Sequence, residues 1–356
     1  MPVPISDPLS TRTTEPEFPS DEAALDELLS RPLAGVGEAL ARCGGDVVLL
    51  GAGGKIGPTM SLMARRALDE VGSDARVIAV SRFSDAAARK QLASANIVVH
   101  QADLADSRSY RDLPDAGAVF YLAAMKFGTT GQEHSTWWSN AAMPAMVADR
   151  YRGVPSVVYS TGNVYPLTPL AGGGSTESDD PAPIGEYAQS CLARERLFSH
   201  ASHAWGTPVT IFRLNYACEL RYGVIADIAS KVTSGEPVDV TMPAVNVAWQ
   251  QDISAWALRS IELAATPLRI LNATGPETVS VRRIAQWLGT EMGVEPSFTG
   301  QEAGDALLND AAEIHELYGY PSVPLRRLVR WVGQWVASGG RQFGKATKFQ
   351  QREGKF

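Results

Sequence analysis

The sequence predicts an α/β fold with a doubly wound parallel sheet and a smaller C-terminal lobe. Short apolar runs, typical of strands buried on both faces, alternate with stretches in which apolar residues recur at helical spacing. A glycine-rich turn at residues 51–57 joins the first such strand to the first long helix. The 356 residues suffice for one large α/β domain and a second lobe.

The glycine-rich turn is the strongest local signal in the chain. It follows a predicted strand at residues 46–50, precedes a predicted helix at 58–68, and has the spacing G-x-x-G-x-x-G. Strand, glycine turn and helix together place backbone N–H groups and a helix N-terminus against a pyrophosphate. We therefore expect a Rossmann-type dinucleotide site, with a tight turn that binds nothing as the alternative. The residues of the turn assigned to the cofactor are Gly51, Gly54, Lys55, Ile56 and Gly57.

Composition excludes several other classes of protein. The net charge is −7 and the sequence contains no basic stripe, which argues against nucleic-acid binding. No apolar run approaches the roughly 20 residues of a membrane span, and the N-terminal residues lack a signal-peptide pattern. The three cysteines and five histidines are scattered, without metal-ligand spacing. We expect a cytoplasmic, metal-free protein whose ligands are small molecules.

The chain divides into four predicted segments. They are an N-terminal extension with short helices, a dinucleotide-binding domain, a region that completes the sheet and forms the substrate lobe, and a tail (residues 1–43, 44–215, 216–338 and 339–356). Residues 1–20 contain five prolines and are expected to be disordered or draped over the surface. The tail is basic and rich in glycine and glutamine, and we expect it to be loosely held.

The remaining strands are predicted from short apolar runs, and the remaining helices from apolar residues at helical spacing. Helices are predicted at two positions in the first domain and throughout the lobe, and a Trp-rich amphipathic helix ends the lobe. Trp331 and Trp335 lie on one face of that helix, which favours a core or subunit contact. Predicted strands are 76–80, 96–100, 118–126, one within 155–165, 209–217, 238–240 and 270–275, and predicted helices are 20–29, 34–42, 138–150, 225–234, 280–292, 310–318 and 325–338.

The end of the second strand bears on the choice of cofactor. In a dinucleotide fold this position lies beside the adenosine ribose, where an acid binds the 2′-hydroxyl of NAD. Here the strand ends in Ser81 and Arg82, and no acid follows. Because arginine can pair with a 2′-phosphate, we predict NADP, with NAD possible. A solvent-facing arginine is the alternative.

The glycine spacing resembles that of the short-chain dehydrogenase/reductase superfamily, in particular its extended branch of epimerases, dehydratases and reductases. Asp103 and Leu104 resemble that family's adenine contact, and Asp103 could instead cap the following helix. Ala123 and Ala124 resemble the segment that lines the cofactor in this branch. Lys126 resembles a lysine of UDP-galactose 4-epimerases, which implies donation to the cofactor phosphate or ribose. Asn140 resembles the superfamily's helix asparagine, with an ordinary polar helix residue as the alternative.

A second resemblance covers the catalytic strand. Residues 155–165 read P-S-V-V-Y-S-T-G-N-V-Y and resemble the branch's catalytic Ser/Thr segment, with Thr161 at the position of the catalytic hydroxyl. Sugar-nucleotide dehydratases carry Asp-Glu directly after that threonine. Gly162 and Asn163 stand there in this chain, which argues against a dehydratase and makes Asn163 a candidate for substrate contact.

The catalytic tyrosine motif is altered in this sequence. The family pattern Tyr-x-x-x-Lys corresponds to Tyr187 followed by Cys191, and Ser190 and Glu195 support that register. The resemblance implies that Tyr187 is the acid/base and contacts the cofactor, while Cys191 replaces the lysine. A thiol supplies neither the positive charge nor the donors of an ammonium group.

The missing lysine leaves several interpretations open. A tyrosine has an unperturbed pKa of about 10, and the family lysine lowers it. Another cation, such as Lys126 or an arginine, could replace the lysine, or the enzyme could use slower or differently protonated chemistry. The site could also be degenerate and bind dinucleotide without turnover. A reactive Cys191 is a fourth interpretation, and an inert buried cysteine is the commoner case.

These features together predict a function. Asn215 and Tyr216 end a strand that resembles the branch's R-x-x-N exit, and they are candidates for substrate contact. The resemblance implies an NAD(P)-dependent oxidoreductase or epimerase that acts by hydride transfer on a secondary alcohol or ketone of a sugar-like substrate. The alternative is a catalytically weak NAD(P)-binding regulatory or scaffold protein. We also expect a homodimer.

Overall fold

The structure is a computed structural model, and it describes residues 17–128 and 130–356. The expectation of a disordered extension over residues 1–20 falls largely outside the described residues. In the described part of the chain, none of the helices combines the length and apolar character that a membrane span requires.

A seven-stranded sheet forms the centre of the molecule. Every neighbouring pair is parallel, and the spatial order is β7-β6-β5-β4-β1-β2-β3. The order reverses between β1 and β4, and such a switch point opens a crevice at the carboxyl ends of the strands. This confirms the predicted doubly wound sheet. The strands are β1 Val47–Leu50, β2 Val77–Ser81, β3 Val98–Gln101, β4 Ala118–Tyr121, β5 Ser156–Thr161, β6 Val209–Leu214 and β7 Arg269–Ala273.

Helices cover both faces of the sheet, which is why β1 can be apolar on both sides. All four residues of β1 are buried, with Leu50 in register with Val80 on β2 and Tyr121 on β4. The helices are α1 Glu22–Leu29, α2 Val36–Ala41, α3 Gly57–Glu70, α4 Ala86–Ser94, α5 Glu133–Trp137, α6 Met143–Arg150, α7 Gly185–Trp205, α8 Val224–Ser234, α9 Gln250–Arg259, α10 Val281–Met292, α11 Ala312–Tyr318 and α12 Leu325–Ala337.

The two faces have separate cores. Residues of α2, α3 and α9 pack on one face, and residues of α6 and α7 pack on the other. The predicted helix over 138–150 is divided, because a π-helical turn at Trp138–Ala142 precedes α6.

The second lobe has its own apolar core. Helices α8, α10 and α12 pack together, and both Trp331 and Trp335 are buried between them. The N-terminal helix α1 adds Leu25, Leu28 and Leu29 to this core, which the sequence alone could not decide. Short strands complete the lobe and its loops (Thr168–Pro169, Ala217–Cys218, Val238–Asp239, Ala244–Val245, Ala248–Trp249, Val279–Ser280, Phe298–Thr299 and Asp305–Ala306).

The C-terminal tail is packed against the molecule, so the expectation that it is loosely held is wrong. Thr347, Phe349 and Phe356 are buried. Thr347 donates hydrogen bonds from its backbone N–H and its hydroxyl to the Asp227 carboxylate on α8. The basic composition suggested that solvent surrounds the tail. A few widely spaced residues, buried or hydrogen-bonded to the rest of the molecule, hold it in place instead.

Candidate active site

Two adjoining cavities open at the carboxyl ends of the strands. The larger, of about 600 Å³, is lined by the glycine turn and is called here the glycine-loop groove. The smaller, of about 160 Å³, is lined by Thr161 and Tyr187 and is called the tyrosine cavity. Lys126 lines both. The predicted site residues from six different strand ends therefore meet in one region.

The glycine turn needs its glycines because other backbone passes close by. Gly51 has φ +91°, and a Cβ there would lie 2.7 Å from the Ala123 nitrogen. A Cβ at Gly53 would lie 2.6 Å from the Ser81 hydroxyl, and one at Gly57 would overlap the Ala52 carbonyl oxygen. The first turn of α3 follows directly, and no side chain of the described residues caps its unpaired N–H groups. A dinucleotide diphosphate fits this cradle.

The groove wall also includes the residues predicted to contact the adenosine. Ser81, Arg82, Asp103 and Leu104 line it, and Arg82 is exposed. The Asp103 carboxylate accepts a hydrogen bond from the Ala105 N–H at 3.0 Å. Asp103 thus closes a turn on the groove wall, and the prediction that it caps the following helix is wrong, because Asp106 caps the helical turn Ser107–Arg111 and accepts from the Arg108 N–H at 3.0 Å.

Asn140 fixes the segment that separates the two cavities. Its Oδ1 accepts from the Met125 N–H at 2.8 Å, and its Nδ2 donates to the Met125 carbonyl at 2.9 Å. It also donates to the Ser190 hydroxyl on α7 at 3.1 Å. Ala123, Ala124 and Lys126 are held in place along the groove by this clamp.

The hydroxyls of Thr161 and Tyr187 come together in the tyrosine cavity. Thr161 ends β5, and its Oγ1 donates to Asn163 Oδ1 at 3.0 Å. Tyr187, near the start of α7, lines the same cavity, and Thr161 and Cys191 are both close enough to its phenol to influence its pKa. Two hydroxyls on one cavity wall can bind and protonate the same substrate oxygen.

Burial raises the pKa of Tyr187 well above 10, so the phenol is protonated at neutral pH. The guanidinium of Arg194 acts in the opposite direction and favours the phenolate. Arg194 is buried and donates to the Tyr159 carbonyl at 2.7 Å and to Asn140 Oδ1 at 3.1 Å. The Nζ of Lys126 lies 5.9 Å from the centre of the Tyr187 ring. Two basic side chains, Lys126 and Arg194, therefore lie close to Tyr187.

Cys191 lies behind the tyrosine rather than on a cavity wall. It is fully buried in a small apolar cluster with Val164, Tyr165 and Phe356. Burial raises the pKa of its thiol, with an opposing contribution from Arg194. A buried thiol with a raised pKa is a poor nucleophile, which supports the inert interpretation.

Two lysines that line the cavities, Lys55 and Lys126, have lowered pKa values. Burial, together with Lys345 and Lys126, lowers the pKa of Lys55 to about 7. Its Nζ lies 3.3 Å from the centre of the Tyr222 ring, so its side chain lines the tyrosine cavity rather than the groove. Burial lowers the pKa of Lys126 to about 8. Ile56 also lines the tyrosine cavity.

Asn215 and Tyr216 complete the far wall of the tyrosine cavity, after β6. Asn215 Nδ2 donates to Asn246 Oδ1 at 2.8 Å, which fixes the amide. Tyr216 adopts φ +52° and turns the chain back toward the cavity. Both residues line the tyrosine cavity.

A buried ion pair supports the wall behind these groups. Glu195 on α7 binds Arg213 on β6 at 2.7 Å and accepts from the Ser160 hydroxyl at 2.5 Å. Arg213 also donates to the Tyr165 hydroxyl at 2.5 Å. The network ties α7 to the ends of β5 and β6, which sets the distance between Thr161 and Tyr187.

Several residues at the site were missed by sequence reasoning. Arg194 could have been found, since it follows Tyr187 by seven residues and so shares its helix face. The others come from distant segments and carried no local signal. They are Tyr222 and Thr347 in the tyrosine cavity, Phe356 against Tyr187, and Lys345 in the glycine-loop groove. Across the described residues we find no cluster of side chains suited to a metal ion.

The fold, the glycine cradle and the paired hydroxyls define a nicotinamide dinucleotide-dependent enzyme class. A model of the NAD dependent epimerase/dehydratase family matches residues 47–243, which is more than half of the chain. The chain belongs to this family. The match confirms the predicted resemblance and the prediction of an NAD(P)-dependent enzyme of the extended short-chain type. It says nothing about Cys191.

Solved structures share the fold at low sequence identity. MoeE5 in complex with UDP-glucose and NAD is 20% identical, with a TM-score of 0.67, and the match covers 83% of this chain and 99% of MoeE5. A UDP-galactose 4-epimerase is 21% identical, with a TM-score of 0.65 and the same coverages of 83% and 99%. UDP-glucuronic acid 4-epimerase from Bacillus cereus, in complex with UDP-glucuronic acid and NAD, is 16% identical with a TM-score of 0.67, covering 82% and 99%. A comparison with curated proteins finds no match.

Proposed function

We propose that this protein is an NAD(P)-dependent oxidoreductase or epimerase that acts on a secondary alcohol or ketone of a sugar-like substrate. The observation that carries the proposal is the meeting of Thr161 and Tyr187 in a cavity that adjoins the glycine-loop groove. A substrate oxygen in the tyrosine cavity would face both hydroxyls, with its carbon directed toward the groove. The epimerase and reductase versions share this geometry.

The chain's own residues would handle the proton. Thr161 would hydrogen-bond the reacting oxygen, and Tyr187 would take or return its proton. When bound, the nicotinamide ring accepts or donates the hydride. Asn163, Asn215 and Tyr216 would position the remaining substrate groups.

Lys126 and Arg194 would supply the positive charge that the family lysine provides elsewhere. Both lie beside Tyr187, and Arg194 favours its phenolate. Cys191 would act only as a buried neighbour that influences the pKa of Tyr187. This is the first of the interpretations left open by the sequence.

The groove would hold the dinucleotide along its length. The turn Gly51, Gly54, Lys55, Ile56 and Gly57 would present backbone N–H groups to the diphosphate. In the same proposal Ala123 and Ala124 line the nicotinamide half, and Asp103 and Leu104 contact the adenine. Ser81 and Arg82 would bind the adenosine ribose and favour its 2′-phosphate, which makes NADP the preferred cofactor.

Sugar nucleotides are the first substrate class to examine, because the structural neighbours are described with UDP-sugars. A homodimer and a cytoplasmic location complete the proposal. Sedimentation of the purified protein would test the dimer.

Hydride transfer tests the proposal directly. The protein is loaded with NADP or NAD and mixed with UDP-glucose, UDP-galactose or UDP-glucuronic acid, while the absorbance of reduced nicotinamide is followed and the sugars are analysed. We expect reduced nicotinamide or a C4-epimer with wild type, and neither with Tyr187→Phe. Tight dinucleotide binding without hydride transfer to any sugar nucleotide would favour the regulatory alternative.

A further inference from the structure

The C-terminal segment, residues 341–356, contributes to the lining of both cavities, with Lys345 in the glycine-loop groove and Thr347 in the tyrosine cavity. It is attached to the second lobe at its start, where the Phe343 N–H donates to the Arg221 carbonyl at 3.0 Å. Thr347 is fixed on Asp227, and Arg352 pairs with Asp305. The segment lies outside the residues that match the family model. Its contacts are therefore not implied by the family pattern.

The end of this segment reaches the catalytic helix. The Phe356 ring packs edge-on against the Tyr187 ring, with centroids 5.2 Å apart. Gly354 has φ +69°, and a Cβ there would overlap the Ile184 carbonyl oxygen just before α7. Such close backbone packing fixes the path of the segment between Thr347 and Phe356.

This path brings Lys345 to the glycine-loop groove. Lys345 lines the groove with Gly51, Gly53 and Gly54, and it lies near enough to Lys55 to act on its charge. With Lys126 these form a group of three ammonium groups around the turn. Within the described part of the chain none of the three forms an ion pair with a carboxylate.

Uncompensated like charges repel one another, and an anion bound among them removes that repulsion. The nearest acid that acts on Lys55 is Asp227, and it already accepts two hydrogen bonds from Thr347. The groove that Lys345 lines is the one whose glycine cradle fits a diphosphate. The positive charge of the lysines and the shape of the glycine turn therefore both favour a diphosphate as the ligand.

We propose that Lys345 binds the diphosphate of the nicotinamide dinucleotide, so that the C-terminal segment is part of the cofactor site. This inference rests on the proposed function. It adds a cofactor-binding residue from a segment that the family match does not include. The exposed position of Lys345 lets its flexible side chain reach a ligand that enters the groove from solvent.

Calorimetric titration with NADP and NAD tests the inference on four forms of the full-length protein. They are wild type, Lys345→Gln, Lys345→Arg and the control Lys355→Gln, whose lysine is exposed and pairs with Glu353 in the same segment. We expect Lys345→Gln to raise the dissociation constant about ten-fold, as the loss of one charged hydrogen bond implies. Its affinity should also depend less on salt, because one screened attraction is gone. Lys345→Arg and Lys355→Gln should bind like wild type.

The outcomes separate this inference from the proposed function. Wild-type affinity and salt dependence in Lys345→Gln would overturn the role of Lys345 and leave the enzyme proposal intact. An equal loss in Lys355→Gln would also overturn it, since general charge would then explain the effect. Failure of wild type to bind either dinucleotide would overturn both.

Discussion

The glycine-loop groove and the tyrosine cavity are built in different ways. The groove is formed mainly by the short turns that directly follow β1, β2, β3 and β4, with Lys345 added from the C-terminal segment, and its volume is about 600 Å³. The tyrosine cavity, of about 160 Å³, draws its walls from segments as distant as Lys55 and Thr347. Most of the groove therefore comes from local turns, whereas the tyrosine cavity depends on how distant segments pack together.

The two regions also differ in how they use positive charge. In the groove, Arg82 and Lys345 stand at the surface, where a charged ligand can reach them. In the cavity, Arg194 is buried and Lys126 is half-buried, and both act on groups of the site itself. Substitutions in the groove should therefore change binding, and substitutions in the cavity should change turnover.

The largest effect is expected from Tyr187→Phe, which removes the proposed acid/base and keeps the ring. Turnover should fall by about 10³-fold, within the usual range for loss of general acid–base catalysis. Dinucleotide affinity and the thermal midpoint should stay close to wild type. Steady-state kinetics and calorimetry measure both.

Tyr165→Phe is the matched control, since its buried hydroxyl contacts Arg213 and Asn272 but lines neither cavity. It should lower the free energy of unfolding by about 1 kcal/mol and leave the chemistry in place. If Tyr165→Phe abolished turnover and Tyr187→Phe did not, the assignment of the acid/base would be wrong.

A second, smaller effect concerns the charge on Lys126. Its pKa of about 8 means that the ammonium is present below that pH and is lost as the pH rises through it. Turnover that depends on this cation should fall above about pH 8. Lys126→Arg keeps its charge, so its pH profile should lack this decline.

Lys126→Gln should lower the maximal rate about 100-fold at pH 7, as for loss of a cation that favours the phenolate. A pH profile shared by wild type and Lys126→Arg would show that another group, such as Arg194, carries the effect. Rates across the pH range, with dinucleotide affinity measured in parallel, distinguish these results.

A still smaller change tests the groove. Arg82→Asp should reverse the preference at the adenosine ribose, with the ratio of NADP to NAD affinity falling about ten-fold or more. Turnover with saturating dinucleotide should change little, because Arg82 is remote from Tyr187. An unchanged ratio of dissociation constants would remove the argument for NADP.

The smallest effect is expected from Cys191→Ala. The thiol lines neither cavity, so turnover should stay within about three-fold of wild type, the range of a lost secondary contact. Truncating a buried side chain should lower the unfolding free energy by about 1 kcal/mol. Complete loss of turnover in a folded Cys191→Ala protein would revive a chemical role for the thiol.

The sequence predicted the sheet and the local parts of the site well. The seven strands have strong apolar runs, and Thr161, Tyr187 and the glycine turn each belong to one continuous segment. The placement of Phe356 and Lys345 could not be predicted, because it depends on contacts between the tail, α7 and α8. The burial of α1 in the core of the second lobe was hidden for the same reason. Composition alone wrongly described the tail.

Titration of the purified protein with NADP and NAD, in wild type and Tyr187→Phe, is the most direct test. It shows whether the glycine-loop groove binds dinucleotide independently of the hydroxyl of Tyr187 in the tyrosine cavity. We predict one dinucleotide site per chain, tighter binding of NADP than of NAD, and equal affinities in the two proteins. Binding of neither dinucleotide by wild type would contradict the assignment of the groove. A large loss of affinity in a folded Tyr187→Phe protein would contradict the separation of binding from chemistry.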